Sequence, residues 1–263
     1  MLKILRNTFL SIIFGFIYAP ILTLVVYSFN DGDNGFFFQG FSLKWYKEVF
    51  LSNQIRTVIY NTLLVAILSS LISIVMGILG AYSIYQTKNK KMKNMLLSIN
   101  KIPIINPDIV TGISLMTFYS LIRIKLGFST MLISHIIFST PYIIIIILPK
   151  LYSLPENIIN AARDLGASES QIFKNIIYPE IISSIATGGL IAFTLSVDDF
   201  LISFFTTGQG FNNLSILINS LTKKGIKPTI NVISSILFFA ILGLLFIINK
   251  CVGIKKLTLD TEI

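Results

Sequence analysis

Cysteine and histidine each occur once in the 263 residues, as Cys251 and His135. A single cysteine excludes an intramolecular disulfide and a thiol-built metal site. A single histidine excludes an H-E-x-x-H metal site. No G-x-x-x-x-G-K followed by Ser or Thr occurs, so the chain has no phosphate loop with which to hold ATP, and no nucleophile constellation stands out. The expectation is a non-enzymatic protein without a metal or cofactor of its own. Charge is scarce as well: 13% of residues are charged and 54% hydrophobic. With a mean hydropathy of +0.80, the chain lies outside the composition of soluble domains. Apolar segments recur from residue 8 to residue 249 and leave no room for a soluble core, so residues 1–263 read as a single membrane domain. The net charge of +9 could suggest nucleic acid, but the lysines and arginines sit in short runs between apolar segments, where membrane orientation accounts for them.

Six segments are long enough to cross a hydrocarbon core, which takes about 20 helical residues. They run from Thr8 to Phe29, Thr57 to Tyr85, Ile102 to Ile122, Thr130 to Pro149, Ile181 to Phe205 and Ile230 to Asn249. The runs are continuous rather than alternating, which favours an all-α bundle over a barrel. Lys3 and Arg6 before the first run look like a secretory signal, but the run is longer than a signal's apolar region and lacks a small-x-small cleavage site, so it is expected to remain as a span. Pro103 and Pro107 interrupt the third segment, and Met92 to Asn100 reads as an interfacial helix before it. Gly77-x-x-Gly80 and Gly188-Gly189 read as places of close helix approach or bending.

With the N-terminus inside, the inner segments hold 13 of the 21 basic residues, including the cluster Lys88, Lys90, Lys91 and Lys93; the outer segments hold the other 8, Lys224 and Lys227 among them. Both termini are therefore expected in the cytoplasm. Two outer loops are long, Asn30 to Arg56 with Trp45 and Tyr46, and Thr206 to Thr229 with the stretch Asn213 to Ile218. Each suits a short surface helix for a docking partner or for anchoring at the interface.

The loop between the fourth and fifth spans, about 150–179, is polar and longer than a connection needs. Ser153-Leu154-Pro155-Glu156 reads as a capping box that opens a helix to Asp164. Gly166 can take the left-handed conformation that ends it. Ser168-Glu169-Ser170-Gln171 reads as a second box, opening a helix that reaches Tyr178, with Pro179 at the entry to the fifth span. A helix, a glycine corner and a second helix make an elbow, either fitted to a groove on a soluble partner or simply a surface feature.

Asn160-Ala161-Ala162-Arg163-Asp164-Leu165-Gly166-Ala167, with Phe173, Ile177 and Pro179 beyond it, resembles the E-A-A-x-x-L-G-A signature of permeases of bacterial ATP-binding-cassette (ABC) importers. Asn160 stands where glutamate is usual, and Tyr178 where leucine precedes the proline. The resemblance implies the MetI-like ABC importer permease fold with six transmembrane helices, and a coupling helix docking on an ATPase through Asn160, Ala161, Ala162, Asp164, Gly166 and Glu169. Glu169 also reads as first-turn helix stabilisation. Implied partners are a second homologous permease forming a heterodimer, two ATPase subunits that bind ATP and Mg, an extracytoplasmic substrate-binding protein and the lipid of a bacterial inner membrane. Pro107-Asp108-Ile109-Val110 and Ser196-Val197-Asp198-Asp199-Phe200 are similar to the patterns of the spermidine/putrescine importers, in particular the second of their two permeases. The outer stretch up to Ile226 is compatible with that branch. Polyamines are then the expected cargo.

The residues themselves point to a cation. A charge at the centre of a membrane helix costs roughly 2.5–3.5 kcal/mol on insertion scales, and Asp108, Asp198 and Asp199 lie in expected spans with no Lys or Arg deep in a span to pair with them. Lys101 and Arg123 are expected at helix ends. Counting along the fifth span puts Asp198 near the outer boundary and Asp108 nearer the inner end, so a cation would meet them at different depths; interfacial exposure for the pair and helix capping for Asp108 are the alternatives. Successive helical residues point about 100° apart, so one of Asp198 and Asp199 lines the path and the other meets a neighbouring helix. Ser196 could add a hydroxyl and Trp45 an aromatic face for an alkylammonium chain. His135 reads as a helix-to-helix hydrogen bond in preference to a proton relay. A permease for another small solute, an ion-coupled secondary transporter using Asp108 and His135, and a membrane scaffold remain as other readings.

Overall fold

The computed structural model describes residues 2–33, 37–223, 225 and 227–259; Lys224 and Ile226 lie outside the described residues. Every regular element among them is a helix: α1 (Leu2–Tyr27), α2 (Lys44–Leu51), α3 (Asn53–Gln86), α4 (Lys90–Ile105), α5 (Asp108–Leu121), α6 (Phe128–Tyr152), α7 (Glu156–Asp164), α8 (Glu169–Ile172), a π-helical turn over Phe173–Ile177, α9 (Tyr178–Asp198), α10 (Leu201–Thr206), α11 (Leu214–Lys223) and α12 (Pro228–Leu259). By length and composition five helical stretches can cross a bilayer, namely Arg6–Tyr27, Asn53–Gln86, Phe128–Tyr152, Glu169–Asp198 and Pro228–Phe246. The remaining expected segment, Ile102 to Ile122, is divided between the end of α4 and the shorter apolar helix α5. The fold is thus the all-α, six-span architecture expected.

The chain forms two compact units, one comprising residues 1–59 and 217–247, the other 60–216 and 248–263. In the first, the loop after α1 is closed by Asn30. Its side chain donates to the Phe37 carbonyl at 2.8 Å and accepts from the Gln39 amide at 2.7 Å. Phe29 stacks between Phe41 and Tyr46, and the Tyr46 hydroxyl meets Ser28 Oγ at 2.8 Å. Trp45 and Val49 bury one face of α2.

In the second unit α3, α6 and α9 share a core of Ala81, Ile84, Ile143, Ile147, Leu151, Ile181 and Ile185, extended onto the elbow by Leu154, Ile159, Ile172 and Ile177. Lipid tails are as apolar as these side chains, so the core is held by tight packing and internal hydrogen bonds rather than by escape from water. Ile143 lies in the space that side chains at Gly77 and Gly188 would fill.

Met92 to Asn100 does fall in a helix of its own, α4, which runs along α6, tied by Asn100 Nδ2 donating to the Pro141 carbonyl at 3.3 Å, with Leu96 and Leu97 against the core. Four expectations are corrected here. The third segment is not one helix from Ile102 to Ile122: it breaks at Asn106-Pro107, because Pro107 has no amide to continue the ladder and pushes Asn106 to ψ 136. Lys101 consequently lies inside α4, not at its end. The fifth span does not continue to Phe205: α9 ends at Asp198, and Asp199 is extended at ψ 124. Finally, Ser153 is no N-cap. Its Oγ donates to the Lys150 carbonyl, and α7 opens behind Pro155 without a side-chain cap.

Candidate functional site

About 24 Å of helix (16 residues of α4) precedes the Asn106-Pro107 break and about 21 Å (14 residues of α5) follows it. Asp108 thus opens α5 directly after the break. It is the first residue of α5 but not its cap, a position taken by Pro107 without a side-chain bond. The second break, between α9 and α10, is made by Asp199. Its carboxylate accepts from the Ile202 amide at 3.2 Å and the Ser203 amide at 2.7 Å, capping α10. Gly112 lets α5 lie against α10: a Cβ there would stand 3.2 Å from the Leu201 carbonyl oxygen and 3.4 Å from Ile202 Cα.

That contact brings two helix breaks and three acids together. Asp108, Asp198 and Asp199 line one cavity of about 270 Å³, walled by Phe138, Thr194, Leu195, Phe200 and Leu201. The acids share one site; they do not stand at separate depths. Asp198 is exposed and Asp199 buried, a division of labour that follows from the end of the helix between them. Among the described residues no Lys or Arg pairs with any of the three.

Behind Asp199 lies a buried polar network. His135, fully buried, places Nδ1 2.6 Å from Ser196 Oγ and Nε2 2.9 Å from Ser203 Oγ, with Asp199 Oδ2 at 3.5 Å from Nε2. An N–H on Nε2 suits this arrangement, directed at the carboxylate and Ser203 while Nδ1 accepts from Ser196. Ser69 Oγ donates to Ser196 Oγ at 3.2 Å, and Asn213 Nδ2 donates to Ser203 Oγ at 2.8 Å. Ser196 is therefore turned into the bundle and away from the cavity, contrary to its expected place on the path. His135 joins α6 to α9 and α10. Trp45 belongs to the other unit, where it is buried in α2 with Lys44 Nζ 4.7 Å from its ring centroid. Asn213, in the outer stretch, escaped sequence reading as a site residue because nothing in its neighbours marks it as the support of Ser203.

The elbow is built as its glycine and second box require. Gly166 has φ +83. The Gly166 amide donates to the Arg163 carbonyl at 2.9 Å and the Ala167 amide to the Ala162 carbonyl at 3.0 Å, the pair of bonds that define a Schellman cap. Ser168 and Gln171 cap α8 reciprocally. Arg163 Nε donates to Glu169 Oε1 at 2.8 Å, and the guanidinium holds that carboxyl below the usual glutamate range. Arg163 Nη1 also donates to Asn160 Oδ1 at 3.3 Å. Asn160, Ala161, Asp164 and Gly166 are exposed, whereas Ala162 packs against the core. Ile158 and Leu165, 52% and 88% exposed, flank Ala161 on the open side of α7. The spacing 158, 161, 165 carried that apolar stripe in the sequence, but the motif drew attention to its small and polar members.

Two helix breaks beside carboxylates over a common cavity, in a chain with five helical stretches long and apolar enough to cross a bilayer, fit a membrane transport protein. The chain belongs to the family of binding-protein-dependent transport system inner membrane components, which it matches over residues 73–254. It is 33% identical over 246 residues to the spermidine/putrescine transport system permease protein PotC of Escherichia coli (strain K12), covering 94% of this chain and 92% of that one. It is 30% identical over 242 residues to the putrescine transport system permease protein PotI of the same strain, covering 90% and 86%. Among solved structures it is similar in fold to a chain of a bacterial ABC transporter involved in the import of the acidic polysaccharide alginate, with a TM-score of 0.75 at 19% identity over 95% of each chain.

Proposed function

We propose that this chain is the permease of an ATP-driven importer of polyamines, residues 1–263 forming one transmembrane domain and half of the translocation pathway. The observation that carries the reading is the cavity of Asp108, Asp198 and Asp199, with no basic side chain among the described residues paired to it. Removing charge from water inside a membrane is costly unless a partner offsets it, and a polyammonium ion crossing between the broken helices supplies that partner. The 33% identity to a spermidine/putrescine permease supports the same cargo. Asp198, the exposed acid, meets the cation first, and Asp199 contributes its charge while remaining bonded to α10.

The chain performs no hydrolysis in this reading. Two ATPase subunits holding ATP and Mg dock on the elbow at 150–179 through the stripe Ile158, Ala161 and Leu165, with Asn160, Asp164, Gly166 and Glu169 around it. A second homologous permease completes the pathway, and an extracytoplasmic binding protein delivers the polyamine to the outer loops. Both termini face the cytoplasm of a bacterial inner membrane, the side to which the Lys88–Lys93 cluster assigns the elbow. The test is uptake of radiolabelled spermidine and putrescine by the reconstituted assembly, with Asp108→Asn and Asp198→Asn introduced together. Each lost carboxylate is expected to lower the apparent affinity about tenfold, as removal of a charge-assisted contact of about 1.5 kcal/mol does. Unchanged uptake and unchanged preference among cations would refute the cation path.

A further inference from the structure

The groove between α4 and the end of α6 shares no residue with the acid cavity or with the helices α7 and α8 of the elbow. It has a volume of about 600 Å³ and apolar walls of Leu97, Ile145, Leu148 and Pro149, with Lys101 and Tyr152 at its rims. Lys93, Leu97 and Lys101 follow one another at four-residue steps and so share a face of α4. Lys93 Nζ stands 4.4 Å from the Tyr152 ring centroid. Residues 87–105 hold five lysines, at positions 88, 90, 91, 93 and 101, and no acid. Lys101 is exposed beside an apolar slot, about 12 Å along the helix from Lys93. An aliphatic stem can lie along such a slot while its ammonium reaches back toward the headgroups.

We infer that this groove is a binding site for an anionic phospholipid, with an acyl chain between Leu97 and Leu148 and the phosphate held by Lys93 and Lys101. Charge complementarity selects the occupant: a zwitterionic lipid fills the slot equally well but leaves five lysines uncompensated. Tyr152 supplies a ring at the level where aromatic side chains meet headgroups. The inference rests on the membrane reading of the chain, and its test measures bound lipid, so it stands or falls separately from the polyamine assignment.

The full-length chain is purified into mixed phosphatidylglycerol and phosphatidylcholine micelles, and retained lipid is read by native mass spectrometry. The wild type is expected to keep phosphatidylglycerol in preference. Lys93→Gln with Lys101→Gln is expected to reduce that preference roughly 25-fold, about fivefold for each lysine near the surface. Lys93→Arg with Lys101→Arg restores it, which separates charge from misfolding, and Lys47→Gln with Lys125→Gln leaves it unchanged. Ile145→Trp, which fills the slot and keeps the charges, also releases the lipid. Retention without headgroup preference, retention by the double Gln variant, or crosslinks from Ile145 to a partner subunit in place of lipid would each overturn the site.

Discussion

Replacing Gly166 isolates what the elbow's corner costs to build. At φ +83 an L-residue is strained, and no atom lies within 4 Å of a Cβ placed there, so the penalty for alanine is purely conformational. It amounts to about 1–2 kcal/mol. The two cap bonds that fix the corner contribute about 0.5–1.5 kcal/mol each, so Gly166→Ala leaves a corner that still forms but with most of its margin gone. Gly166→Asn should cost roughly half as much, since asparagine visits this region readily. Gly166→Val should cost most. Hydrogen exchange read by mass spectrometry over residues 156–172, with the chain in nanodiscs, checks the order. Exchange at the corner should rise about 5- to 30-fold for alanine and less for asparagine. Alanine indistinguishable from wild type, or asparagine worse than alanine, would refute the reasoning. If the elbow also docks an ATPase, the affinity for that subunit should fall in the same order.

Two further outcomes are expected at the acid site. Gly112→Val forces a side chain against the Leu201 carbonyl and the Phe205 ring, and overpacking of about 1–3 kcal/mol should appear as a lower midpoint in thermal unfolding together with weaker polyamine uptake. Asp199→Ala removes the cap of α10 and should cost about 0.5–2 kcal/mol, while Asp199→Asn keeps an acceptor for only one of the two amides and Asp198→Asn touches no structural bond. Unfolding midpoints should therefore fall most for Asp199→Ala, less for Asp199→Asn and not for Asp198→Asn, whereas uptake should fall for all three.

The spans were legible where apolar runs are long and uninterrupted, as in α3, α6 and α12, and the corner was legible because Gly166 and the Ser168-Gln171 box are local signals. The helix break at Asp199 was not. Nothing in Val197-Asp198-Asp199-Phe200 resembles a stop, and the carboxylate that ends one helix by starting another acts through amides three and four residues further on. The company of Asp108 was hidden for a related reason: Pro107 was visible as an interruption with helix expected on either side, but only the contact of α5 with α10 brings Asp108 to the cavity of Asp198 and Asp199. His135 was read as a bond between helices, and its two serine partners lie 61 and 68 residues away, a separation no local pattern can express. Ser153 misled because a box needs its side chain at the first free amide, and here that hydroxyl turned back to the preceding helix.

The π-helical turn at Phe173–Ile177 welds the elbow to α9 with no loop between them, so that Glu169–Asp198 is one rod of 30 residues, about 45 Å long. A rod of that length is a lever. Tilting its lower end by about 5° swings the tip that carries Asp198 through about 4 Å, more than the length of a hydrogen bond. A small push outside the membrane is thus enough to exchange every close partner of the carboxylate at the far end.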